Sequence, residues 1–186
     1  MTIDAGLFTI PNLISLLRLA GIGVFWWLLF GRDDPVAAGI LILVIGWTDW
    51  LDGWLARKLN QVSEVGKILD PLADRLAIAA ALIGGMVAGV IPLSLGIALM
   101  AREAGIALGA LALGMRLKEK LDVRYMGKVA TFILYGAIPS FFLAAGGMAG
   151  DVFLYLGWVF GTIGLVLYYW VAVQYAADIR DKLRHG

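Results

Sequence analysis

The chain is organised around residues 47–74, which read WTDWLDGWLARKLNQVSEVGKILDPLAD. Within an otherwise apolar sequence, this stretch places Asp49 and Asp52 three residues apart, and Asp70 and Asp74 four residues apart. On a helix, residues at these spacings lie on one face, about one turn from each other. Two helices that face each other would therefore bring four carboxylates together.

A cluster of four carboxylates predicts bound cations, because like charges at close range repel strongly in a medium of low dielectric. Ligands that are all oxygen favour Mg²⁺, Mn²⁺ or Ca²⁺, whereas zinc and copper prefer His or Cys. The alternative is two acidic pairs on solvated helix ends, neutralised by neighbouring basic residues. Gly53, Ala56 and Gly66 favour a ligand site, since small residues let a ligand approach the backbone, and the Arg57 guanidinium matches a phosphate.

The composition predicts an integral membrane protein. Of the 186 residues, 61% are hydrophobic and only 16% are charged, with a mean hydropathy of +0.88; soluble domains are about a quarter charged. The net charge of +1 gives no overall field that would recruit nucleic acid. There is no Cys, and the only His is His185, so metal binding and acid–base chemistry fall to carboxylates. Residues 1–12 lack the pattern of a cleavable signal peptide, so the first apolar run is expected to stay in the mature protein.

Six apolar runs are each long enough to cross a bilayer, which takes about 20 residues. We therefore predict an all-α integral membrane protein: a single membrane domain over 1–186, with six transmembrane helices and a short amphipathic segment before the first. The predicted spans are 13–30, 36–57, 67–90, 93–117, 125–145 and 152–176. Glycines four residues apart, Gly105 with Gly109 and Gly157 with Gly161, are expected to let helices pack closely.

Basic residues determine the predicted orientation. With six spans, Arg32 is the only Lys or Arg on one side, whereas the 57–67 link, the 118–128 loop and the 180–184 tail carry basic residues on the other. The positive-inside tendency then places both termini in the cytoplasm. The motif aspartates are predicted to lie on that same cytoplasmic side. The membrane itself is predicted to be the cytoplasmic membrane.

The acidic stretch resembles the signature of the CDP-alcohol phosphatidyltransferase family, D-x2-D-G-x2-A-R-x8-G-x3-D-x3-D. It matches at every fixed position: Asp49, Asp52, Gly53, Ala56, Arg57, Gly66, Asp70 and Asp74. The resemblance implies an enzyme that transfers the phosphatidyl group of CDP-diacylglycerol to an alcohol and releases CMP. It also implies two divalent cations, Mg²⁺ or Mn²⁺, bound by the four aspartates, with Asp74 as the base that takes the proton of the acceptor hydroxyl.

The same resemblance implies a nucleotide and diphosphate pocket formed by Gly53, Ala56, Arg57 and Gly66, and a homodimer embedded among membrane lipids. For the acceptor, residues 10–18 and the Ala-Arg-Glu at 101–103 are similar to bacterial phosphatidylglycerophosphate synthases, which favours glycerol 3-phosphate. Residues 125–132, YMGKVATF, are similar to actinobacterial cardiolipin synthases, which use phosphatidylglycerol. Inositol phosphate, the acceptor of phosphatidylinositol phosphate synthases, is a third candidate acceptor.

Four basic residues are candidates for binding a phosphate-bearing acceptor: Arg102, Arg116, Arg124 and Lys128. Basic residues at helix ends also anchor a protein to anionic lipid heads. Arg102 lies within a span, so it is either an acceptor ligand or a member of a structural ion pair. Glu103 adjoins it, but adjacent residues on a helix are not expected to face each other.

A divalent-cation transporter is the alternative from another functional class, because intramembrane carboxylates also mark ion pathways. Such transporters often have broken helices in two repeated halves. This chain instead concentrates its acids in the second and third apolar runs.

Overall fold

The computed structural model describes the backbone of residues 10–59, 66–116, 125–149 and 151–185. Side chains are described over 13–48, 72–105, 129, 132–149, 151–171 and 173–174. Within these ranges the protein consists of helices and short turns, with no strand. The all-α prediction is therefore confirmed for the described part of the chain.

Six α-helices are present in the described backbone, each beginning within a few residues of a predicted apolar run. They are α1 (Ile10–Trp26), continued by a π-helical turn (Trp27–Gly31), α2 (Pro35–Leu59), α3 (Gly66–Val87), α4 (Leu93–Arg116), α5 (Tyr125–Ala145) and α6 (Asp151–His185). Helix α6 continues past the predicted end at 176, because residues 177–185 contain no Gly or Pro that would stop it. Of the expected amphipathic segment before Leu13, residues 10–12 form the first turn of α1, and residues 1–9 lie outside the described residues.

The turns between helices follow from local chemistry. Asp34 caps α2, since its Oδ1 accepts a hydrogen bond of 2.9 Å from the backbone N–H of Ala37, and Pro35 takes the first helical position. After α3, Gly89 adopts a φ of +69°, and the N–H of Val90 donates to the carbonyl of Gly85 at 2.8 Å. A glycine in this left-handed conformation is a common way for a helix to end.

Aromatic and aliphatic side chains from α1, α3, α4 and α5, with Ala38 of α2, form the core. Phe25 and Phe142 are both fully buried and meet edge to face, with ring centroids 5.5 Å apart at 80°. Leu82 and Phe141 pack in the same cluster. Helix α1 packs along α3, α2 along α5, and α5 along α6.

Close helix packing at glycine is confirmed at one of the two predicted pairs. A Cβ added at Gly157 would lie 3.1 Å from the Phe141 ring, and one at Gly161 would lie 3.0 Å from the Leu95 side chain. At Gly105, no described atom lies within 4 Å of that position, so close packing there is not confirmed. The packing around Gly109 lies outside what the structure describes.

Two segments in the described chain are long and apolar enough to cross a membrane, Leu13–Gly31 and Asp151–Val171. Only 22% and 17% of their apolar windows are buried within the protein, whereas the core helix of a soluble protein is mostly buried. Shorter apolar helical segments are Pro35–Thr48 and Phe132–Ala145. Exposed apolar surface of this extent is typical of a protein that lies in lipid, while the crossing of all six helices stays a prediction.

Candidate active site

An ion pair between α1 and α3 lies at the end of the acidic stretch. Nη1 of Arg18 donates to Oδ1 of Asp74 at 2.5 Å. The Arg18 side chain is 1% exposed and that of Asp74 is 27% exposed. The buried guanidinium therefore holds a carboxylate that is still partly accessible.

The other residues of the acidic stretch lie on the same two helices. Asp49, Asp52, Gly53, Ala56 and Arg57 belong to the C-terminal half of α2, Gly66 is the first residue of α3, and Asp70 precedes Asp74 by about one turn. Helix α1 packs against both α2 and α3, which also contact each other. Both acidic pairs are thus helical. Their side chains, except that of Asp74, lie outside the described ones, so the convergence of the four carboxylates stays a prediction.

The donor set fits a hard divalent cation. Among the described side chains, no group of three potential metal ligands occurs. Three of the four motif aspartates have side chains that are not among the described ones. The motif offers carboxylate oxygens only, which magnesium and manganese prefer. Asp74, the described member, keeps an accessible carboxylate at the helix surface. Asp49, Asp52, Asp70 and Asp74 are therefore chemically suited to hold such an ion.

A second charged cluster joins α3, α4 and α6. Nη1 of Arg75 donates to Oε2 of Glu103 at 3.4 Å, and Oε1 of Glu103 accepts from Arg102. The Arg102 guanidinium carbon also lies 3.8 Å from the centre of the Tyr168 ring, which is within the range of a cation–π contact. The Arg102 side chain is 6% exposed, so this cluster holds a buried positive charge.

The expectation that Arg102 and Glu103 do not face each other is wrong. Their Cβ atoms leave the helix in different directions, but long flexible side chains curve towards each other when both are excluded from water. The cavity beside them, lined also by apolar residues of α3, α4 and α5, has a volume of about 20 Å³. That is room for at least one water molecule beside the ion pair. The described surroundings of Arg102 favour the structural role, and acceptor binding by Arg102 stays a prediction.

The remaining acceptor candidates lie at helix ends or outside the described residues. Arg116 is the last residue of α4, and Lys128 lies in the first turn of α5. Their side chains are outside the described ones, and Arg124 lies outside the described residues altogether. Their part in acceptor binding stays a prediction.

Sequence reasoning missed the contact of Arg18 with Asp74. The available signal was its position inside the first apolar run, where an ionised side chain requires a partner or a cavity. The missing information was the identity of that partner, which depends on the packing of α1 against α3. Tyr168 was missed for the same reason, because nothing in the sequence relates α6 to α4.

Comparison with known proteins gives consistent matches. Residues 8–170 match the family model described as CDP-alcohol phosphatidyltransferase. A Streptomyces coelicolor protein named cardiolipin synthase (CMP-forming) is 38% identical over 182 residues, covering 95% of this chain and 85% of that protein. A Mycobacterium tuberculosis protein named putative cardiolipin synthase is 35% identical, with the same coverage. A Bacillus subtilis protein named CDP-diacylglycerol–glycerol-3-phosphate 3-phosphatidyltransferase is 33% identical over 156 residues, covering 74% of this chain and 78% of that protein.

Proposed function

Because the chain belongs to the CDP-alcohol phosphatidyltransferase family, we propose that it transfers the phosphatidyl group of CDP-diacylglycerol to phosphatidylglycerol, which gives cardiolipin. The general activity follows from the family: the protein is a membrane-associated transferase of phospholipid biosynthesis. The choice of acceptor rests on one observation, the 38% identity over 95% of the chain to a protein named for CMP-forming cardiolipin synthesis. The likeness of residues 125–132 to cardiolipin synthases supports it.

The proposed reaction is a displacement at phosphorus. A glycerol hydroxyl oxygen of phosphatidylglycerol forms a bond to the phosphorus of the phosphatidyl group. The bond between that phosphorus and the bridging oxygen breaks, and CMP leaves with the bonding electron pair. The hydroxyl proton passes to a base, so the products are cardiolipin and CMP.

Asp74 is the proposed base. An alcohol is a weak nucleophile near neutral pH, and a positioned carboxylate contributes about 10² to 10⁴ in rate. Its partial exposure supports this role, because the proton acceptor must reach the substrate hydroxyl. The buried Arg18 partner keeps the carboxylate on the α1 side of α3.

Asp49, Asp52 and Asp70, together with Asp74, are the proposed ligands of two Mg²⁺ or Mn²⁺ ions. Bound divalent cations supply positive charge to the diphosphate oxygens and to the leaving group. Gly53, Ala56 and Gly66 leave room for the nucleotide beside the helices, and Arg57 holds a phosphate through its planar guanidinium. The family's general dependence on divalent cations supports this assignment.

The proposed topology has six transmembrane helices, with both termini and the acidic stretch on the cytoplasmic side of the cytoplasmic membrane. The clustering of basic residues opposite Arg32 supports that sidedness. The proposed assembly is a homodimer, which the family resemblance implies.

Glycerol 3-phosphate is the second candidate acceptor. It is favoured by the Bacillus subtilis relative, whose name specifies that acceptor, and by the likeness of residues 10–18 to phosphatidylglycerophosphate synthases. The enzyme class and the proposed residue roles are the same for both candidates, so a product assay separates them.

The test uses purified protein in mixed micelles with CDP-diacylglycerol and Mg²⁺ or Mn²⁺. Phosphatidylglycerol, glycerol 3-phosphate and inositol phosphate are supplied separately, and both CMP and the lipid product are identified by mass. We expect CMP and cardiolipin with phosphatidylglycerol. Phosphatidylglycerophosphate from glycerol 3-phosphate, with no cardiolipin, would overturn the proposed acceptor and leave the reaction class intact.

Variants of the site complete the test. Asp70→Asn and Asp74→Asn should each abolish CMP release, because the first removes a metal ligand and the second removes the base. The matched control is Asp151→Asn, at the exposed start of α6, which should release CMP at the parental rate. Full activity of Asp74→Asn would remove the base assignment.

A further inference from the structure

Arg18 lies outside the acidic stretch, yet it contacts the proposed base directly. Its Nη1 is 2.5 Å from Oδ1 of Asp74, and 56 residues separate the two in sequence. We propose that Arg18 is a positioning residue for the transfer reaction, which fixes the Asp74 carboxylate in the orientation that accepts the proton of the substrate hydroxyl. This proposal rests on the proposed function of Asp74.

The unequal burial of the two partners supports this division of roles. The Arg18 side chain is 1% exposed, so its guanidinium is enclosed by protein and has little freedom to move. Asp74 is 27% exposed, so its carboxylate can contact both Arg18 and a substrate. A rigid buried donor that holds a partly open acceptor is the arrangement that supports a precisely oriented reactive group.

The location of Arg18 argues against an incidental contact with Asp74. It lies within Leu13–Gly31, one of the two candidate membrane spans, where an ionised side chain is costly and is retained for a partner or a function. On one side of it in sequence stand Leu16 and Leu17, both exposed and apolar. A positive charge among these residues is stabilised by turning inward to the carboxylate on α3.

A purely structural role is the alternative, in which Arg18 only ties α1 to α3. The two roles predict different kinetics. A structural tie predicts fewer folded molecules, with each folded molecule as active as before. A positioning residue predicts a fall in kcat per folded molecule, with the KM for CDP-diacylglycerol nearly unchanged, because the substrate still binds but the proton acceptor is misaligned.

The kinetic test compares Arg18→Met, Arg18→Lys and the control Arg32→Met. Arg32 is an exposed arginine that lies over the Trp27 ring, 5.5 Å from its centre, at the other end of the same apolar segment. We expect kcat to fall about 10- to 100-fold in Arg18→Met. Arg18→Lys keeps a cation beside Asp74 and should regain part of the loss. Arg32→Met should keep the parental kcat.

A second measurement does not depend on activity. Melting temperatures are compared for Arg18→Met, Asp74→Asn, the double variant and the parent protein. Because each single variant breaks the same ion pair, the double variant should melt at a higher temperature than the sum of the two single shifts predicts. Additive shifts would show that the two side chains are not coupled, and would overturn the proposal.

The outcomes separate this proposal from the proposed function. If the parent protein releases no CMP with any of the three acceptors, the proposed function fails, while the melting temperatures still report on the ion pair. If the parent is active and folded Arg18→Met keeps the parental kcat, the positioning role fails and the function stands. If Arg18→Met does not fold, the neutral variant Arg18→Gln takes its place: a lowered kcat with an unchanged KM supports positioning, and a parental kcat overturns it.

Discussion

Replacing Glu103 with Gln should destabilise the protein strongly, because one carboxylate serves two arginines. The Arg102 side chain is 6% exposed and that of Glu103 is 15% exposed, so their pair is largely removed from water. Breaking a buried pair by removing one partner costs about 3 to 5 kcal/mol, since it leaves an uncompensated buried charge. Arg102 keeps its contact with the Tyr168 ring, so the lower end of that range, about 3 kcal/mol, is expected.

Arg75 provides the matched control. Its side chain is 40% exposed and its contact with Glu103 is 3.4 Å long, so it is a solvated ion pair. Such pairs contribute about 0 to 1 kcal/mol. Glu103→Gln should therefore cost several times more than Arg75→Gln, although both variants break a contact to the same carboxylate.

Thermal unfolding of the detergent-solubilised protein measures the difference. At about 2 to 4 °C per kcal/mol for a chain of this size, Glu103→Gln should lower the melting temperature by about 6 to 12 °C. Arg75→Gln should lower it by less than about 4 °C. Replacing both buried charges, with Arg102→Met and Glu103→Leu together, should recover most of the loss, because neither charge is then left alone.

Two results would refute this reasoning. Equal shifts for Glu103→Gln and Arg75→Gln would mean that the buried pair adds nothing beyond the solvated one. A double variant as unstable as Glu103→Gln would mean that the loss arises from packing and not from removal of the carboxylate that balances Arg102. The double variant also tests the role of Arg102: an unchanged KM for the acceptor would show that Arg102 is structural, and a raised KM would support acceptor binding.

Three further predictions concern packing, capping and the metal. Gly157→Leu should lower the melting temperature, because an added Cβ would lie 3.1 Å from the Phe141 ring, whereas Gly105→Ala should be neutral or raise stability by up to about 1 kcal/mol. Asp34→Ala should cost about 1 kcal/mol in thermal unfolding by removing the cap on the N–H of Ala37, while Asp34→Asn, which can still accept that bond, should cost little. Chelation with EDTA should abolish CMP release, and added Mg²⁺ or Mn²⁺ should restore it; activity that persists in EDTA would contradict the proposed metal site.

The helices could be predicted because apolar runs are separated by residues that end helices. Asp34 with Pro35, and Gly89 before Pro92, mark two of the turns by their chemistry alone. The π-helical turn at the end of α1 could not be predicted, since its wider bonds, such as Arg32 N–H to the Trp27 carbonyl at 3.0 Å, leave no periodic signal in so short a segment. Helix α6 ends nine residues beyond the predicted 176, because the helix continues after the hydropathy of the sequence falls.

The acidic stretch could be recognised from spacing because each pair of aspartates is local to one helix. The ion pairs between helices could not be predicted from the sequence. No residue spacing indicates which helices pack against each other. Because Arg18 and Arg102 lie in apolar runs, each is expected to have a partner for its charge. The partner of Arg18 lies 56 residues away, and the partner of Arg102 is the adjacent residue, which the spacing on a helix does not predict.

Helix α3 makes charged contacts on two sides through residues next to each other in sequence. Asp74 and Arg75 leave the helix about 100° apart, and they pair with Arg18 of α1 and Glu103 of α4 respectively. Because the two contacts pull in different directions around the axis, a rotation of α3 that keeps one would lengthen the other. Asp70 lies about one turn before Asp74 on the same helix, so its angular position is subject to the same restraint. The orientation of the proposed ligand face of α3 therefore depends mainly on Arg18, which lies outside the acidic stretch, because the solvated Arg75 pair contributes little.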